Sequence, residues 1–368
     1  IFGALVESGK GNAYESSVSL TGGSFLSGSI AGGAAVSWGT GDAYANAVTI
    51  EDSSVEGLIA GGVVYDSLGN AYGNAVSISG DSTISGVRGF GSVYGGYVNG
   101  NPGKADRNAV TMSGGTMGVP VYGGLVEYSA WSPVNLVSVA ESDPAELSPE
   151  PLDVTADNNT VALSGVGVEI STDTLSGAGE KRDGIFGGCV RISEIYPGIN
   201  VSADTNATAL SHVSASGARV YGGLIESGFA YLYPVRSSGS SDSVLSSVSL
   251  SASGNSVFLE QSSTGDVYGG TIRTGGQTYA YSRFQRSAVA PEFAIMPPPT
   301  VFTAHADGNT VGIADSSAVS GDVHGGLIGL DAKNAVAQLH GTDGLAGHVQ
   351  NVHSRHYLST PFLLVSCG

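Results

Sequence analysis

The stretch Val121-Tyr122-Gly123-Gly124-Leu125-Val126 decides the fold, because close copies of it recur along the chain. Nine copies are recognisable, and the first glycine of each copy stands at Gly3, Gly32, Gly61, Gly95, Gly123, Gly187, Gly222, Gly269 and Gly325. The tightest spacings are 28 and 29 residues, which is a period typical of solenoids and repeat arrays. The sequence therefore predicts a repeat protein.

A second motif follows most of these anchors. It reads Asn-Ala-Val-Thr-Ile at 46–50, and related segments begin at Asn74, Asn108, Asn159 and Asn309. Valine and isoleucine alternate with alanine and threonine, which is the pattern of a half-buried strand. The asparagine has the parity of the inward side chains, so we expect it at a corner, where stacked asparagines pass hydrogen bonds from rung to rung.

Short strands, turns at Ser-Gly or Gly-Gly and the lack of helical periodicity predict an all-β fold. The predicted fold class is a right-handed parallel β-helix (a β-solenoid) with loop insertions on one side and rungs about 4.8 Å apart. The right hand follows from strand twist and parallel crossovers. In this register Val48, Val76, Val110 and Val161 form one column. The anchor glycines are expected to supply positive φ or close backbone approach.

The amino-acid composition argues against several classes of structure and function. The 368 residues include 57 glycines, only 12% charged residues and 41% hydrophobic residues, with a net charge of -18. This hydrophobic content argues against disorder, and the acidity argues against nucleic-acid binding. Cys189 and Cys367 show neither a disulfide framework nor metal-ligand spacing, so no metal and no cofactor are expected. The chain opens in mid-repeat, and we expect it to be part of a longer protein.

Residues 1–336 are predicted to form the solenoid, with insertions at about 127–155, 227–250 and 273–306, and 337–368 an irregular terminal segment. The insertions interrupt one arm of the repeat and carry most of the candidate ligand contacts. These candidates are Tyr128, Trp131, Phe229, Tyr231, Tyr233, Tyr279, Tyr281, Phe284 and Phe293. The structural alternative is that these aromatic side chains pack against the shaft, which is the solenoid formed by the repeats. A separate set of anchor aromatics, from Phe2 to Tyr268, is expected to stack as a structural ladder rather than as a sugar-binding stripe.

The alternation of Val-Tyr-Gly-Gly-x-Val with Asn-Ala-Val-x-Ile-Ser-Gly resembles the passenger regions of bacterial autotransporter proteins, especially adhesin-like ones. The resemblance covers about residues 1–336. It implies a β-helix exported through a C-terminal outer-membrane β-barrel, which this sequence does not contain, and displayed on or released from the surface of a Gram-negative bacterium. Its implied partners are a protein or glycan of a host or neighbouring cell.

Three functions remain open at this point. The first is a non-enzymatic surface passenger that makes adhesive contacts. The second is a polysaccharide-acting lyase or glycosidase on the same solenoid, which would need clustered carboxylates on one open face. The third is a structural spacer. The outward positions of the Asn-x-Val-x-Ile strands hold Ala, Ser and Thr, so the sequence favours a protein without catalytic residues.

Overall fold

The computed structural model describes residues 1–36, 40–86, 91–100, 102–128, 152–170, 184–195, 198–230, 235–236, 244–245, 247–274, 301–330, 336–340, 347–349, 357–360 and 363–364. Throughout these ranges the secondary structure consists of β-strands and turns, with no helix. Accordingly, the described residues include no helix of the length and apolarity that crossing a membrane requires. The prediction of an all-β, parallel β-solenoid is confirmed by strand order and pairing.

The anchor segments form the largest sheet, which has ten strands and is called the long sheet below. In spatial order its strands are Phe2–Val6 (β1), Ile30–Val36 (β5), Leu58–Tyr65 (β9), Ser92–Asn99 (β13), Val121–Tyr128 (β16), Gly184–Ile195 (β20), Arg219–Ala230 (β24), Val267–Thr274 (β30), Val323–Leu330 (β34) and Tyr357–Thr360 (β37). All neighbouring pairs are parallel except the last, β34 with β37.

The Asn-x-Val-x-Ile segments form a nine-stranded sheet. Its strands are Ser17–Leu20 (β3), Ala47–Glu51 (β7), Ala75–Ser79 (β11), Ala109–Ser113 (β14), Thr160–Ser164 (β18), Ala207–Ser211 (β22), Ser256–Glu260 (β28), Thr310–Ala314 (β32) and Leu363–Leu364 (β38). An eight-stranded sheet then leads back to the next anchor. Its strands are Phe25–Ser27 (β4), Ser54–Glu56 (β8), Thr83–Ser85 (β12), Thr116–Met117 (β15), Gly167–Val168 (β19), Ser214–Ala215 (β23), Ser263–Thr264 (β29) and Ala318–Val319 (β33).

Shorter strands fill the corner between the long sheet and the nine-stranded sheet. In the first rungs they are Ala13–Tyr14 (β2), Ala43–Tyr44 (β6) and Ala71–Tyr72 (β10). In later rungs a six-stranded sheet precedes this corner, formed by Leu152–Thr155 (β17), Ile199–Ser202 (β21), Ser247–Ser251 (β27), Val301–His305 (β31), Val336–His340 (β35) and Gly347–Val349 (β36). Val235–Arg236 (β25) and Val244–Leu245 (β26) form an antiparallel pair.

The register of the nine-stranded sheet is the predicted one. Val76 is the Cα partner of both Val48 and Val110, and Val110 pairs in turn with Val161. All four valines are buried, whereas Thr111 and the other outward positions of these strands are largely exposed. The inside–outside assignment of the motif is therefore confirmed, while the right hand of the coil stays a prediction from strand twist.

The predicted asparagine ladder is present. Seven buried asparagines stack in one column: Asn46, Asn74, Asn108, Asn159, Asn206, Asn255 and Asn309. At each step the Nδ2 of one asparagine donates to the Oδ1 of the next, over 3.0 to 3.2 Å. Its backbone N–H donates to the same oxygen. The residue before each of the seven asparagines turns the chain and has positive φ, as Arg107 and Asn158 do.

The anchor glycines allow close approach rather than positive φ. None of them is among the positive-φ residues of the chain. A Cβ built on Gly123 would overlap the carbonyl oxygen of Gly187 in the next rung, and one on Gly124 would lie 2.6 Å from the side chain of Asn159. The strand also bends here, because Tyr122 and Leu125 share one hydrophobic cluster although they are three residues apart. The Gly-Gly pair thus lets the long sheet wrap around the asparagine column.

The bend divides the apolar interior into two cores. Residues before the glycines, such as Val121, pack with the valine column and the eight-stranded sheet. Residues after the glycines, such as Val126, pack against a second column of buried alanines at the corner, which includes Ala105 and Ala156. Tyr122 and Leu125 point to the other face of the long sheet, where a third cluster forms.

Candidate functional site

The outward face of the long sheet carries a column of stacked aromatic rings. Its members are Tyr94, Tyr122, Phe186, Tyr221, Tyr268 and His324. Neighbouring ring centroids lie 4.7 to 5.3 Å apart with interplanar angles of 4 to 17°. Each ring inside the column has both faces covered by its neighbours, so the arrangement favours the structural ladder over a sugar-binding stripe. His324 continues the column beyond Tyr268, the last aromatic of the expected ladder.

A row of alternating charges runs beside this ladder. In successive rungs Glu127, Arg191, Glu226 and Arg273 are register partners. The Nε of Arg191 donates to Glu226 Oε2 over 3.0 Å, and its Nη1 lies 3.6 Å from Glu127 Oε1. Arg191 also lies over the ring of Tyr122, 5.4 Å from the centroid, as Arg273 lies over Tyr268 at 5.2 Å. Such contacts combine ion pairing with cation–π attraction.

The pKa values of Arg191, Tyr122 and Tyr221 on this face are all raised. Burial acts to lower the pKa of Arg191, but Tyr122, Cys189 and Glu226 outweigh burial and raise this pKa well above its usual value. Burial raises the pKa of Tyr122, and it raises that of Tyr221 to about 12. At neutral pH the arginine is therefore charged and the phenols are neutral. The face is suited to holding rungs in register, and it offers no phenolate base.

An acidic column occupies the corner next to the buried alanines. Asp106 accepts from the backbone N–H of Asp157, and Asp157 accepts in the same way from Asp204. Hydroxyl groups bond to the same carboxylates, with Thr155 donating to Asp106 and Ser202 to Asp157. Burial raises the pKa of Asp157 to about 6, and nearby Asp106 and Asp204 add to this rise, while the hydrogen bonds oppose it.

A polysaccharide-acting enzyme would need clustered carboxylates of this kind on an open face. Asp106 and Asp157 each accept from a backbone N–H and from a hydroxyl group of the next rung, so these hydrogen bonds indicate that the carboxylates hold adjacent rungs together. Among the described residues, no group of three or more His, Cys, Asp or Glu side chains is placed to hold a metal ion.

No protein-family model and no curated protein matches this chain. Its function is therefore argued from the placement of its own residues.

The candidate ligand contacts fall largely outside the described residues. Tyr128 ends β16 and is 7% exposed, packed in the second core, where burial raises its pKa to about 12. The backbone of Phe229 belongs to β24, and its side chain lies outside the described part of the structure. The remaining candidates also lie outside it, namely Trp131, Tyr231, Tyr233, Tyr279, Tyr281, Phe284 and Phe293. Their role as ligand contacts stays a prediction.

The strands that border the three predicted insertions show where each segment begins and ends. Segment 129–151 follows β16 and precedes β17, segment 231–246 follows β24 and ends at β27, and segment 275–300 follows β30 and precedes β31. The strands β16, β20, β24 and β30 are consecutive in the long sheet, and β17, β21, β27 and β31 are consecutive in the six-stranded sheet. All three segments thus start from one edge of the long sheet, within about 14 Å along the axis at one rung per 4.8 Å.

Sequence analysis did not predict the charged row or the alanine and aspartate columns. The signal for the charged row lies one residue beyond the six-residue anchor, where the sequence reads Asn99, Glu127, Arg191, Glu226 and Arg273. The alanine column is visible as an alanine three residues before each asparagine, from Ala43 to Ala306. Sequence analysis also missed the stacked tyrosines Tyr14, Tyr44 and Tyr72, of which the first and last are exposed.

Proposed function

We propose that the chain is a non-enzymatic, surface-displayed passenger whose β-solenoid presents segments 129–151, 231–246 and 275–300 to a protein or glycan on a host or neighbouring cell. The observation that carries this proposal is the common origin of the three segments, which begin within about 14 Å of one another on one edge of the long sheet. Binding residues are often carried by loops on a rigid scaffold.

The rest of the shaft supports the same proposal. The outer face of the nine-stranded sheet consists largely of small side chains such as Thr49, Ser77 and Ala162. Binding energy concentrates in large aromatic and arginine side chains, and the arginines Arg191 and Arg273 are engaged with the aromatic ladder. The segments, in contrast, contain eight of the nine candidate aromatic contacts if Phe229 at their border is included.

The test removes the three segments while the shaft keeps its register. The rung of β20 and β21 is the template, because its partners to Tyr128 and Leu152 are Ile192 and Ile199, separated by six residues. By the same pairings, two residues replace 231–246 and five residues replace 275–300. We therefore design Gly-Ser links of six, two and five residues.

The trimmed protein and the full chain are compared for binding to cultured cells and to immobilised glycans. Circular dichroism and a urea titration report on the fold. The proposal expects a folded shaft whose binding is lost. A matched control, Thr49→Lys with Ser77→Lys, changes the outer face of the nine-stranded sheet and is expected to leave binding intact. Undiminished binding by the folded, trimmed shaft would contradict the proposal, and binding by neither protein would favour the spacer.

A further inference from the structure

Three tyrosines near the start of the solenoid form a stack whose two end residues are exposed. Tyr14, Tyr44 and Tyr72 occupy the same corner position in successive rungs. The ring centroids of Tyr14 and Tyr44 are 5.3 Å apart, and those of Tyr44 and Tyr72 are 5.0 Å apart, with interplanar angles of 9° and 3°. Tyr14 is 52% exposed and Tyr72 is 37% exposed, and Tyr44 between them is half-buried. This stack therefore differs from the aromatic ladder of the long sheet, whose tyrosines are buried.

The backbone fixes this juxtaposition. The N–H of Glu15 donates to the carbonyl of Tyr44, and the N–H of Ala45 donates to that of Tyr72. Glu15 and Ala45 both have positive φ, so each rung makes the same turn directly after its tyrosine. In the next rung the position is taken by Asp106, where the row of rings ends. The three rings are held in line by the rung spacing, and the row is exposed at Tyr14 and Tyr72.

We propose that this stack is an oxidative modification site, at which Tyr44 forms a dityrosine cross-link to Tyr14 or Tyr72. The co-reactant is a one-electron oxidant of the peroxidase class that uses hydrogen peroxide. Each of the two phenols loses one electron and one proton, which gives two phenoxyl radicals. A carbon–carbon bond forms between their Cε atoms, and the Cε protons move to the phenolic oxygens. In sum, two tyrosines and one peroxide give one dityrosine and two waters.

Proximity is the physical reason for this site. Two groups held in contact react as if at very high local concentration, so two radicals in adjacent rungs combine faster than radicals on separate molecules that must meet by diffusion. The bond would join residues that are 28 or 30 positions apart in sequence, and closing such a loop restricts the unfolded chain, as a disulfide does. The product is a covalent fastening between rungs.

Other tyrosines of the described structure provide internal comparisons. Tyr221 and Tyr268 are stacked at 4.8 Å but are only 2% and 6% exposed, so an oxidant has little access to them. Tyr65 is 47% exposed, and no stacked ring accompanies it among the described residues. Access and stacking are combined only in the Tyr14–Tyr44–Tyr72 row within the described part of the chain.

The experiment treats the full chain with a plant peroxidase and hydrogen peroxide at low protein concentration. Monomer is isolated by size exclusion, and peptide mapping by mass spectrometry follows. The expected product is a monomer that has lost two hydrogen atoms, shows dityrosine fluorescence and contains a peptide joining Tyr44 to Tyr14 or Tyr72. Tyr44→Phe keeps the stacked ring without the phenol, and it should lose at least 90% of this product. Tyr65→Phe should leave the product unchanged.

A second variant, Tyr14→Phe with Tyr72→Phe, keeps Tyr44 but removes both of its partners, and it should lose the same product. Circular dichroism confirms that each variant is folded. The proposal is overturned if Tyr44→Phe retains the intramolecular product, if the mapped link joins other tyrosines, or if only cross-links between molecules form.

Discussion

Removing one amide from the asparagine column tests how much that column stabilises the fold. In Asn108→Ala the lost side chain made four hydrogen bonds. Its Oδ1 accepts from the backbone N–H and the Nδ2 of Asn74, both over 3.0 Å. Its Nδ2 donates to the carbonyl of Ala71 over 2.9 Å and to Asn159 Oδ1 over 3.2 Å.

The loss of unfolding free energy depends on which hydrogen-bond partners of the Asn108 side chain keep another bond. Asn74 Nδ2 keeps its bond to the carbonyl of Ala43, and Asn159 Oδ1 keeps the backbone N–H of residue 108. The buried backbone N–H of Asn74 loses its acceptor, which costs about 1–3 kcal/mol. The other lost bonds contribute about 0.5–1.5 kcal/mol each. Together these terms lead us to expect that Asn108→Ala lowers the free energy of unfolding by about 2.5–7.5 kcal/mol, a large share of the ~5–15 kcal/mol typical of folded domains.

Urea titration followed by circular dichroism measures this change. The control is Asn200→Ala, which removes an exposed amide whose Nδ2 donates to Asp153 Oδ1 over 3.1 Å. That substitution should cost no more than about 0.5 kcal/mol. Equal urea midpoints for the two variants would show that the column does not stabilise the fold as argued.

Four further substitutions have expected outcomes. Val110→Asp places a charge in the fully buried valine column and should cost several kcal/mol, whereas Thr111→Asp on the exposed face should be mild; similar urea midpoints would contradict the assignment of faces. Thr264→Val removes a buried hydroxyl that has no partner among the described residues and should raise the free energy of unfolding by about 1 kcal/mol; a thermal melt that shows destabilisation would refute this. Asp157 has a folded-state pKa of about 6, above the ordinary 3.8, so the folded chain binds more protons between these values and stability falls as pH rises through this window. Asp157→Asn should reduce this loss of stability and should be more stable than the unsubstituted protein at pH 8. Urea titrations of both proteins at pH 4, 6 and 8 measure the difference, and a less stable Asp157→Asn at pH 8 would contradict the prediction.

The repeat made much of the fold predictable. Once the anchors are aligned, alternation places Val76 and Val110 inside, and the parity of Asn108 places it with them. Each rung has the same pattern of inward and outward side chains as its neighbour, so one short motif predicts columns that run along the whole sheet. The repeated glycines were interpretable only in part, because the sequence left positive φ and close backbone approach both open, and the structure shows close approach.

The charged row and the exposed tyrosines were harder to predict because they are properties of contacts between rungs. Arg191 alone resembles an isolated surface cation, and its ion pairs appear only when Glu127 and Glu226 are set beside it by the strand register. Tyr14 and Tyr44 lie in separate corner strands of two residues each, and such strands are too short to show an alternating pattern. The candidate contacts in the three segments have no repeat partner to align with, so sequence gives their composition and not their placement.

A single register of parallel rungs underlies every column in this account, and engineered cysteines test it most directly. Ser77 and Thr111 are exposed Cα partners in adjacent rungs, so their Cα atoms are about 4.8 Å apart, within disulfide range. With Cys367→Ser, the pair Ser77→Cys and Thr111→Cys should form an intramolecular disulfide on mild oxidation, read by non-reducing peptide mapping. The offset pair Ser77→Cys and Ser113→Cys, about 8 Å apart by strand geometry, should stay reduced. Equal or preferential bridging of the offset pair would contradict the register and the account built on it.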